Sequence, residues 1–281
     1  MQQRLASMVI LCVLLSSTRV VAESRPSMLA DYLGDARKGS IEFELGWYTD
    51  SDDGGSLHAL APVLSARFAA TEHLDLELDW PFAFVAVSPD IGEGSAEFRS
   101  GNPLVAGYYV SRQHGGYLRV GFGVAPPVAQ VDDSSDLVPI ASGLAMRGLW
   151  DSWLYAPETL SFVFPFQIER RMDRLVLGAD TALAVLIPTS GGTDETDLDF
   201  QLAGLIGGTT GPVSAGVRLQ LVWLPTSNSD NAQVALVPFV QGDFSGGFVY
   251  LRFLINLDQP LGVFGDGADV WALSIGGGGR F

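Results

Sequence analysis

The chain has 281 residues, of which 47% are hydrophobic and only 17% are charged, and its formal net charge at pH 7 is −16. This acidic balance excludes nucleic acid as a partner, because the chain and a phosphate backbone repel each other. Beyond the N-terminal segment, no apolar run reaches the length of about 18 residues that a transmembrane helix needs. An apolar chain without such a run is typical of a transmembrane β-barrel, in which one face of every strand meets lipid.

The N-terminal segment has the pattern of an export signal. Residues 1–22 combine a positive start at Arg4, an apolar core and a small residue, Ala22, at the expected cleavage position. The only cysteine, Cys12, lies inside the apolar core. Cleavage after Ala22 leaves a mature chain without cysteine, which excludes a disulfide-stapled fold. Residues 23–39 are short and polar, and we predict that they form a periplasmic leader or a small plug.

From residue 40 onward the chain repeats one pattern, in which apolar residues alternate with polar or small ones between turn residues. Side chains of a strand point to opposite faces with a period of two, so each segment predicts a two-faced strand. The first sets Ile41 and Phe43 against Glu42 and Glu44. Twelve strands are predicted, at residues 41–48, 60–70, 73–84, 104–110, 117–124, 160–171, 177–187, 198–202, 214–223, 232–244, 249–257 and 270–281.

The connections between these strands alternate between tight turns and long polar loops. Short periplasmic turns and long extracellular loops are the asymmetry of outer-membrane barrels. Trp47, Trp223 and Trp271 fall near the long-loop ends, where an interfacial aromatic girdle is expected. We therefore predict an all-β fold, a 12-stranded antiparallel up-and-down transmembrane β-barrel of residues 40–281 in the cell outer membrane. A secreted β-sandwich is the alternative.

The terminal strand, which ends in Phe281, resembles the last strand of bacterial outer-membrane β-barrels. That resemblance implies that the strand carries the insertion signal read by the barrel-assembly machinery. The other expected partners are outer-membrane lipid, lipopolysaccharide and a small-molecule solute.

The polar faces of the predicted strands would line the lumen and carry charges of both signs. One interpretation is a wall of ion pairs that offsets charge burial. The other is a polar conduit in which carboxylates of the third strand favour cations or polar solutes. The predicted lumen-lining residues are Glu42, Glu44, Arg67, Asp75, Glu77, Asp79, Arg119, Glu169, Arg171, Asp180, Asp199, Arg218, Arg252 and Arg280.

The longest loop, residues 130–158, contains a helix-like stretch that is followed by aromatic residues. Trp150, Trp153 and Tyr155 could form a constriction or a lid if the loop folds into the barrel mouth. The alternative is an amphipathic segment that lies on the membrane interface.

The sequence offers little for catalysis, and we predict no enzyme, no metal site and no cofactor. None of the common nucleophile, phosphate-binding or zinc-binding motifs occurs. His58 lies near Asp50, Asp52 and Asp53 and is the only candidate for an outer-membrane hydrolase, which is the third functional interpretation.

Residues 97–109 contain the stretch Gly101-Asn102-Pro103 followed by Tyr108 and Tyr109. This stretch resembles a segment of the outer-membrane proteins of the meta-pathway phenol-degradation family, although Leu104 and Val105 depart from that pattern. The resemblance implies a 12-stranded barrel in the style of long-chain fatty-acid transporters. It further implies uptake or efflux of small, often hydrophobic molecules. The sequence thus predicts a channel or transporter for small solutes, with a non-conducting structural or surface-binding barrel as the alternative.

Overall fold

The computed structural model describes residues 39–52, 55–89, 94–113, 116–131, 136–190, 196–225, 231–258, 260–262 and 270–281. The predicted signal peptide, and the predicted leader up to residue 38, lie outside these residues.

The described chain consists of thirteen strands and two short helical elements. The helix α1 covers Leu137–Ala145, and a 3₁₀ helix covers Ser152–Leu154. The strands are β1 Gly39–Asp52, β2 Gly55–Ala69, β3 Leu74–Pro89, β4 Ser95–Ser100, β5 Leu104–Gln113, β6 Gly116–Ala125, β7 Thr159–Met172, β8 Leu175–Pro188, β9 Asp197–Thr210, β10 Val213–Trp223, β11 Ala232–Phe244, β12 Gly247–Asn256 and β13 Trp271–Arg280.

Twelve of these strands close into an antiparallel barrel, which confirms the predicted fold. Each barrel strand pairs with the next barrel strand along the chain, and β13 returns to pair with β1. That closing ladder runs from Ser40 opposite Arg280 to Trp47 opposite Leu273. Closure removes the free sheet edges, so the backbone hydrogen bonds of these strands are made within the cylinder.

The alternation of each strand decides which side chains face outward. On β1, Ile41 and Phe43 are about half exposed on the outer surface, whereas Glu42 and Glu44 point inward. Each of the twelve barrel strands carries at least one large apolar side chain that is exposed. The predicted β-sandwich alternative is therefore wrong, because a sandwich buries such faces between its sheets. An apolar belt around a closed barrel is the surface of a protein of the outer membrane.

No helix in the described part of the chain combines the length and the apolar character needed to cross a bilayer.

The thirteenth strand, β4, lies in one of the long polar connections, between the third and fourth predicted strands, where no strand was predicted. The first half of β3 pairs with β5, and its second half pairs with β4. β4 and β5 thus follow one another along the same edge of β3, separated by Gly101-Asn102-Pro103. The interruption has a local cause, because Pro103 has no N–H for a sheet ladder. At Gly101, a Cβ atom would overlap the carbonyl oxygen of Leu154.

The glycine run of β13 makes room for aromatic rings inside the barrel. A Cβ atom at Gly276 would overlap the ring of Tyr250, and one at Gly278 would crowd the ring of Phe248. Both rings come from β12, the neighbouring strand. Gly279 faces the other way, and its Cβ would meet only the Gly246 carbonyl oxygen, at 3.9 Å.

We therefore expect Gly276→Ala to lower barrel stability by about 1–3 kcal/mol, because the added methyl group displaces the Tyr250 ring from a packed position. Gly279→Ala is the matched control and should leave stability unchanged within about 0.5 kcal/mol. Urea titration of the refolded barrel, followed by its heat-modifiable migration on gels, measures both variants. Equal midpoints for the two variants would contradict this account of the glycine run.

Candidate functional site: the lumen and its mouth

Glu77 is the centre of one charged cluster inside the barrel. Its carboxylate accepts from Arg67 Nε at 2.7 Å, from Arg119 Nη2 at 3.0 Å and from the Tyr108 hydroxyl at 3.2 Å. Arg119 is fully buried, its guanidinium lies 3.8 Å from the Tyr108 ring centroid, and its Nη1 donates to Gln167 at 3.0 Å. A buried guanidinium is tolerated here because the carboxylate and the amide oxygen accept hydrogen bonds from its two terminal nitrogens.

Glu44 on β1 is the centre of a second cluster. The Tyr250 hydroxyl lies 2.7 Å from Glu44 Oε2 and 2.6 Å from Glu42 Oε1. Arg252 forms an ion pair with Glu44, and Arg147 approaches the same carboxylate at 3.3 Å. This cluster joins β1 and β12 of the wall to the segment in the barrel mouth, because Arg147 belongs to that segment.

Three further ion pairs lie on the wall. Arg218 Nη2 is 3.2 Å from Asp180 Oδ2, and the Arg218 guanidinium lies 4.3 Å from the Trp150 ring centroid. Arg171 Nε is 3.0 Å from Glu169 Oε1. Near the C-terminal end of β13, Arg280 Nη2 is 2.8 Å from Asp243 Oδ1, and the Arg280 guanidinium lies over the Phe248 ring.

The remaining predicted lumen residues are three aspartates. Asp75 is buried on β3, near Arg119 and Arg67. Asp79 lies opposite Ser65 of β2, and among the described residues it forms no ion pair. Asp199 is fully buried on β9, where it accepts hydrogen bonds from Ser152 and Gln201.

The segment of residues 136–158, which we call the mouth segment, folds into the barrel. Trp150, Trp153 and Tyr155 are all less than a tenth exposed. Trp153 and Tyr155 belong to an apolar cluster with inward side chains of β5, β7 and β8, and Trp150 packs on Ala203 and Val222 of β9 and β10. The membrane-interface alternative is therefore wrong for this segment, since its aromatic side chains pack inside the cylinder.

The mouth segment turns sharply after α1. Gly148, Leu149 and Asp151 have positive φ values of 65°, 62° and 56°. Such values cost little for glycine, but they are strained for a branched apolar residue such as Leu149. Hydrogen bonds from Gly148 N to Ala145 O, at 3.0 Å, and from Leu149 N to Leu144 O, at 3.2 Å, hold the turn in place.

Tyr155 is buried, and its hydroxyl has no hydrogen-bond partner within the described residues. Burial raises the pKa of Tyr155 to about 12, although the nearby Arg147 guanidinium acts in the opposite direction. The phenol therefore stays neutral at physiological pH.

Asn102, from the Gly-Asn-Pro interruption, anchors the mouth segment to the wall. Its Nδ2 donates to the carbonyl oxygens of Trp153, at 3.1 Å, and of Ala156, at 2.6 Å. Its Oδ1 accepts from the backbone N–H groups of Val128 and Ala129, both at 2.8 Å. The amide is fully buried, and all of these contacts join segments that are distant in sequence.

A cavity of about 230 Å³ lies beneath the mouth segment. Its roof is largely apolar and includes Met146, Trp150, Trp153 and Leu154. Its walls are charged, with more carboxylates than guanidinium groups. The charged lining residues are Glu42, Glu44, Arg67, Glu77, Asp79, Arg147, Asp151, Glu169, Asp180, Arg218 and Arg252.

Sequence reasoning missed several members of this site. Asn102 was noticed only for its family resemblance, and its role as an anchor had no signal in the alternation pattern. Tyr108 and Tyr250 were not predicted to line the lumen, although Tyr250 shares the polar face of β12 with Arg252 and could have been recognised from that position. Arg147 was assigned to the loop of residues 130–158, so its contact with Glu44 could not be predicted.

His58, the only catalytic candidate from the sequence, lies on the rim of β2. Its side chain is exposed, and its Nδ1 is 3.0 Å from Thr49 Oγ1. Asp53 lies outside the described residues. Among the described residues, no group of three histidine, cysteine or acidic side chains is placed to hold a metal ion.

Comparison with known proteins supports the fold. No protein-family model and no curated protein matches the sequence. The chain is similar in structure to an outer membrane channel from Pseudomonas putida F1, with 12% identity, a TM-score of 0.61, and coverage of 90% of this chain and 98% of that one. It is also similar to the NanC porin, with 10% identity, a TM-score of 0.51, and coverage of 86% and 98%.

These similarities show the outer-membrane β-barrel fold, in agreement with the prediction from the sequence. The narrower resemblance to the phenol-degradation family stays a prediction.

The anchor at Asn102 gives the first test of the mouth segment. We expect Asn102→Asp to loosen the segment, because a carboxylate cannot donate to the Trp153 and Ala156 carbonyl oxygens and repels them instead. The expected destabilisation is about 2–4 kcal/mol. Limited proteolysis in outer-membrane vesicles should then cut residues 136–158 at least tenfold faster than in the wild type.

Gln130→Glu makes the same chemical change at an exposed position and serves as the control. If both variants resist the protease as well as the wild type does, Asn102 is not the anchor.

Proposed function

We propose that this protein is a gated outer-membrane channel or transporter for small solutes. The observation that carries the proposal is the charged cavity under an in-folded mouth segment. A barrel that serves only as a scaffold does not need such a cavity, whereas a passage for solutes does. The similarity to an outer membrane channel and to a porin is consistent with this function.

The cavity suits solutes with an apolar body and a polar or positively charged group. Aromatic and aliphatic side chains of the roof offer an apolar contact, in keeping with the hydrophobic solutes that the family resemblance implies. The walls carry seven carboxylates and four guanidinium groups, so the lining has an excess of negative charge. Because most of these charges are paired, we expect a modest preference for cations rather than a strict ion filter.

In this proposal the mouth segment acts as the gate. It is held by the buried amide of Asn102, by the hydrogen bond from Ser152 to the buried Asp199, and by the ion pair of Arg147 with Glu44. Single backbone hydrogen bonds, such as that from Asn102 N to Leu154 O at 2.7 Å, also join it to the wall, but no strand ladder of the described residues does, so it can move without opening the barrel.

Conductance in planar lipid bilayers tests the function itself. We expect brief openings of small conductance from the wild-type protein and an open probability at least tenfold higher after Asn102→Asp. Gln130→Glu should behave like the wild type. Bilayers that stay silent with a barrel proven to be folded, for both the wild type and Asn102→Asp, would contradict a channel.

Asp79 and Glu77 test the charge preference. Asp79→Asn removes a carboxylate that forms no ion pair within the described residues, so it should lower the potassium-to-chloride permeability ratio about twofold or more and leave the barrel folded. Glu77→Gln should instead cost about 3–5 kcal/mol, because Arg67 and Arg119 lose their shared partner. Reversal potentials in a salt gradient and urea midpoints measure the two effects.

An unchanged permeability ratio for Asp79→Asn would favour the second candidate function, a non-conducting structural or surface-binding barrel. The paired charges of the lumen are the observation that favours this candidate. A hydrolase centred on His58 has no comparable support from the described residues.

A further inference from the structure

One arrangement of three side chains recurs four times inside this barrel. In each case an arginine guanidinium lies over an aromatic ring and pairs with a carboxylate. The four sets are Arg119 with Tyr108 and Glu77, Arg218 with Trp150 and Asp180, Arg252 with Tyr250 and Glu44, and Arg280 with Phe248 and Asp243.

Two of these sets face the cavity with all three members. The Trp150 set, with Arg218 and Asp180, takes its ring from the mouth segment. The Tyr250 set, with Arg252 and Glu44, meets the same segment through the ion pair of Glu44 with Arg147. The arginine and the carboxylate of both sets keep some contact with solvent, between 12% and 25% of each side chain.

An aromatic face beside a carboxylate is the environment that binds organic cations. The ring attracts the cation through its quadrupole, and the carboxylate adds charge and hydrogen bonds. In this barrel the protein's own arginines occupy that environment. A solute with a similar cationic group can take their place, since the guanidinium is tethered by a flexible side chain.

We propose that the solutes of this channel are small organic cations, with a guanidinium or a substituted ammonium group, and that they pass by exchanging with Arg218 and with Arg252. This inference rests on the proposed channel function and names its substrate class. The apolar roof of the cavity would receive the body of the solute while its cationic group is bound at the Trp150 set.

The affinity expected for free organic cations agrees with transport rather than with tight binding. A tethered guanidinium competes at an effective concentration on the order of millimolar. Free solute cations therefore bind at millimolar concentrations, which is weak enough to let them leave again.

The test uses methylguanidinium and its neutral analogue methylurea, which has nearly the same shape. In wild-type channels, methylguanidinium should reduce the potassium current at millimolar concentrations, and methylurea should not. Arg218→Gln removes the guanidinium of the Trp150 set and leaves Trp150 and Asp180 in place. The half-blocking concentration of methylguanidinium should then fall about tenfold, which is a gain of affinity that a purely structural ion pair does not predict.

Three controls separate organic-cation recognition from simple charge. Arg218→Gln combined with Trp150→Leu should lose the gain, because Asp180 remains but the ring is gone. Arg280→Gln removes the arginine of a set in which no member lines the cavity, and it should leave the half-blocking concentration unchanged. Block by magnesium should rise less than twofold in Arg218→Gln. An equal rise for magnesium and for methylguanidinium would overturn the proposal.

Folding and conductance are checked separately. If the Arg218→Gln variant does not assemble into a barrel, the Arg252→Gln variant provides the same test at the Tyr250 set. If no variant conducts, saturation-transfer NMR with the protein in nanodiscs decides whether methylguanidinium binds and methylurea does not. Binding without current would reject the channel and keep the cation site, whereas current without discrimination would reject the cation site and keep the channel.

Discussion

The closed hydrogen-bonded cylinder is the constraint on which the rest of this structure depends. In a bilayer every backbone polar group of a spanning strand needs a partner, and only closure of β13 on β1 supplies the last ladder. Closure fixes the register, and the register sends every second side chain inward. Acidic and basic residues of many strands thus meet in a narrow space. They are stable there because ion pairs or hydrogen bonds satisfy them, as Glu77 with Arg67 and Arg119 illustrates.

The strands could be predicted because the alternation that marks them is local in the sequence. The inward fold of the mouth segment could not be predicted in this way. Alternation of large apolar residues marks β1 and β3 directly, and it predicted twelve strands and the closing pair correctly. β4 was missed because residues 95–100 carry a single large apolar residue, Phe98. The inward position of Trp150, Trp153 and Tyr155 depends on contacts between distant segments. Periodicity carries no information about such contacts.

The ion-pair partners of the charged residues could not be predicted from the sequence either. Alternation placed Glu44 and Arg252 on inward faces, but it did not say that they would meet, because β1 and β12 are neighbours only through β13. The same holds for Tyr250, whose ring depends on the missing side chain of Gly276. The glycine run, which looks like a weak strand in the sequence, is therefore a packing solution that brings a hydroxyl to two carboxylates.

The mouth segment combines strong burial with local energetic costs, and this balance is consistent with the gating role that we propose for it. Its aromatic side chains are packed as tightly as a protein core. Against that stand the left-handed Leu149 and three buried polar atoms without partners in the described residues, Arg147 Nε, Trp153 Nε1 and the Tyr155 hydroxyl. Each unsatisfied group favours a conformation in which water can reach it. Buried polar atoms of the wall, such as Ser214 Oγ and Gln220 Oε1, also lack partners among the described residues, but the strands that carry them are held by continuous hydrogen-bonded ladders. We therefore expect movement to be concentrated in the mouth segment while the cylinder around it stays rigid.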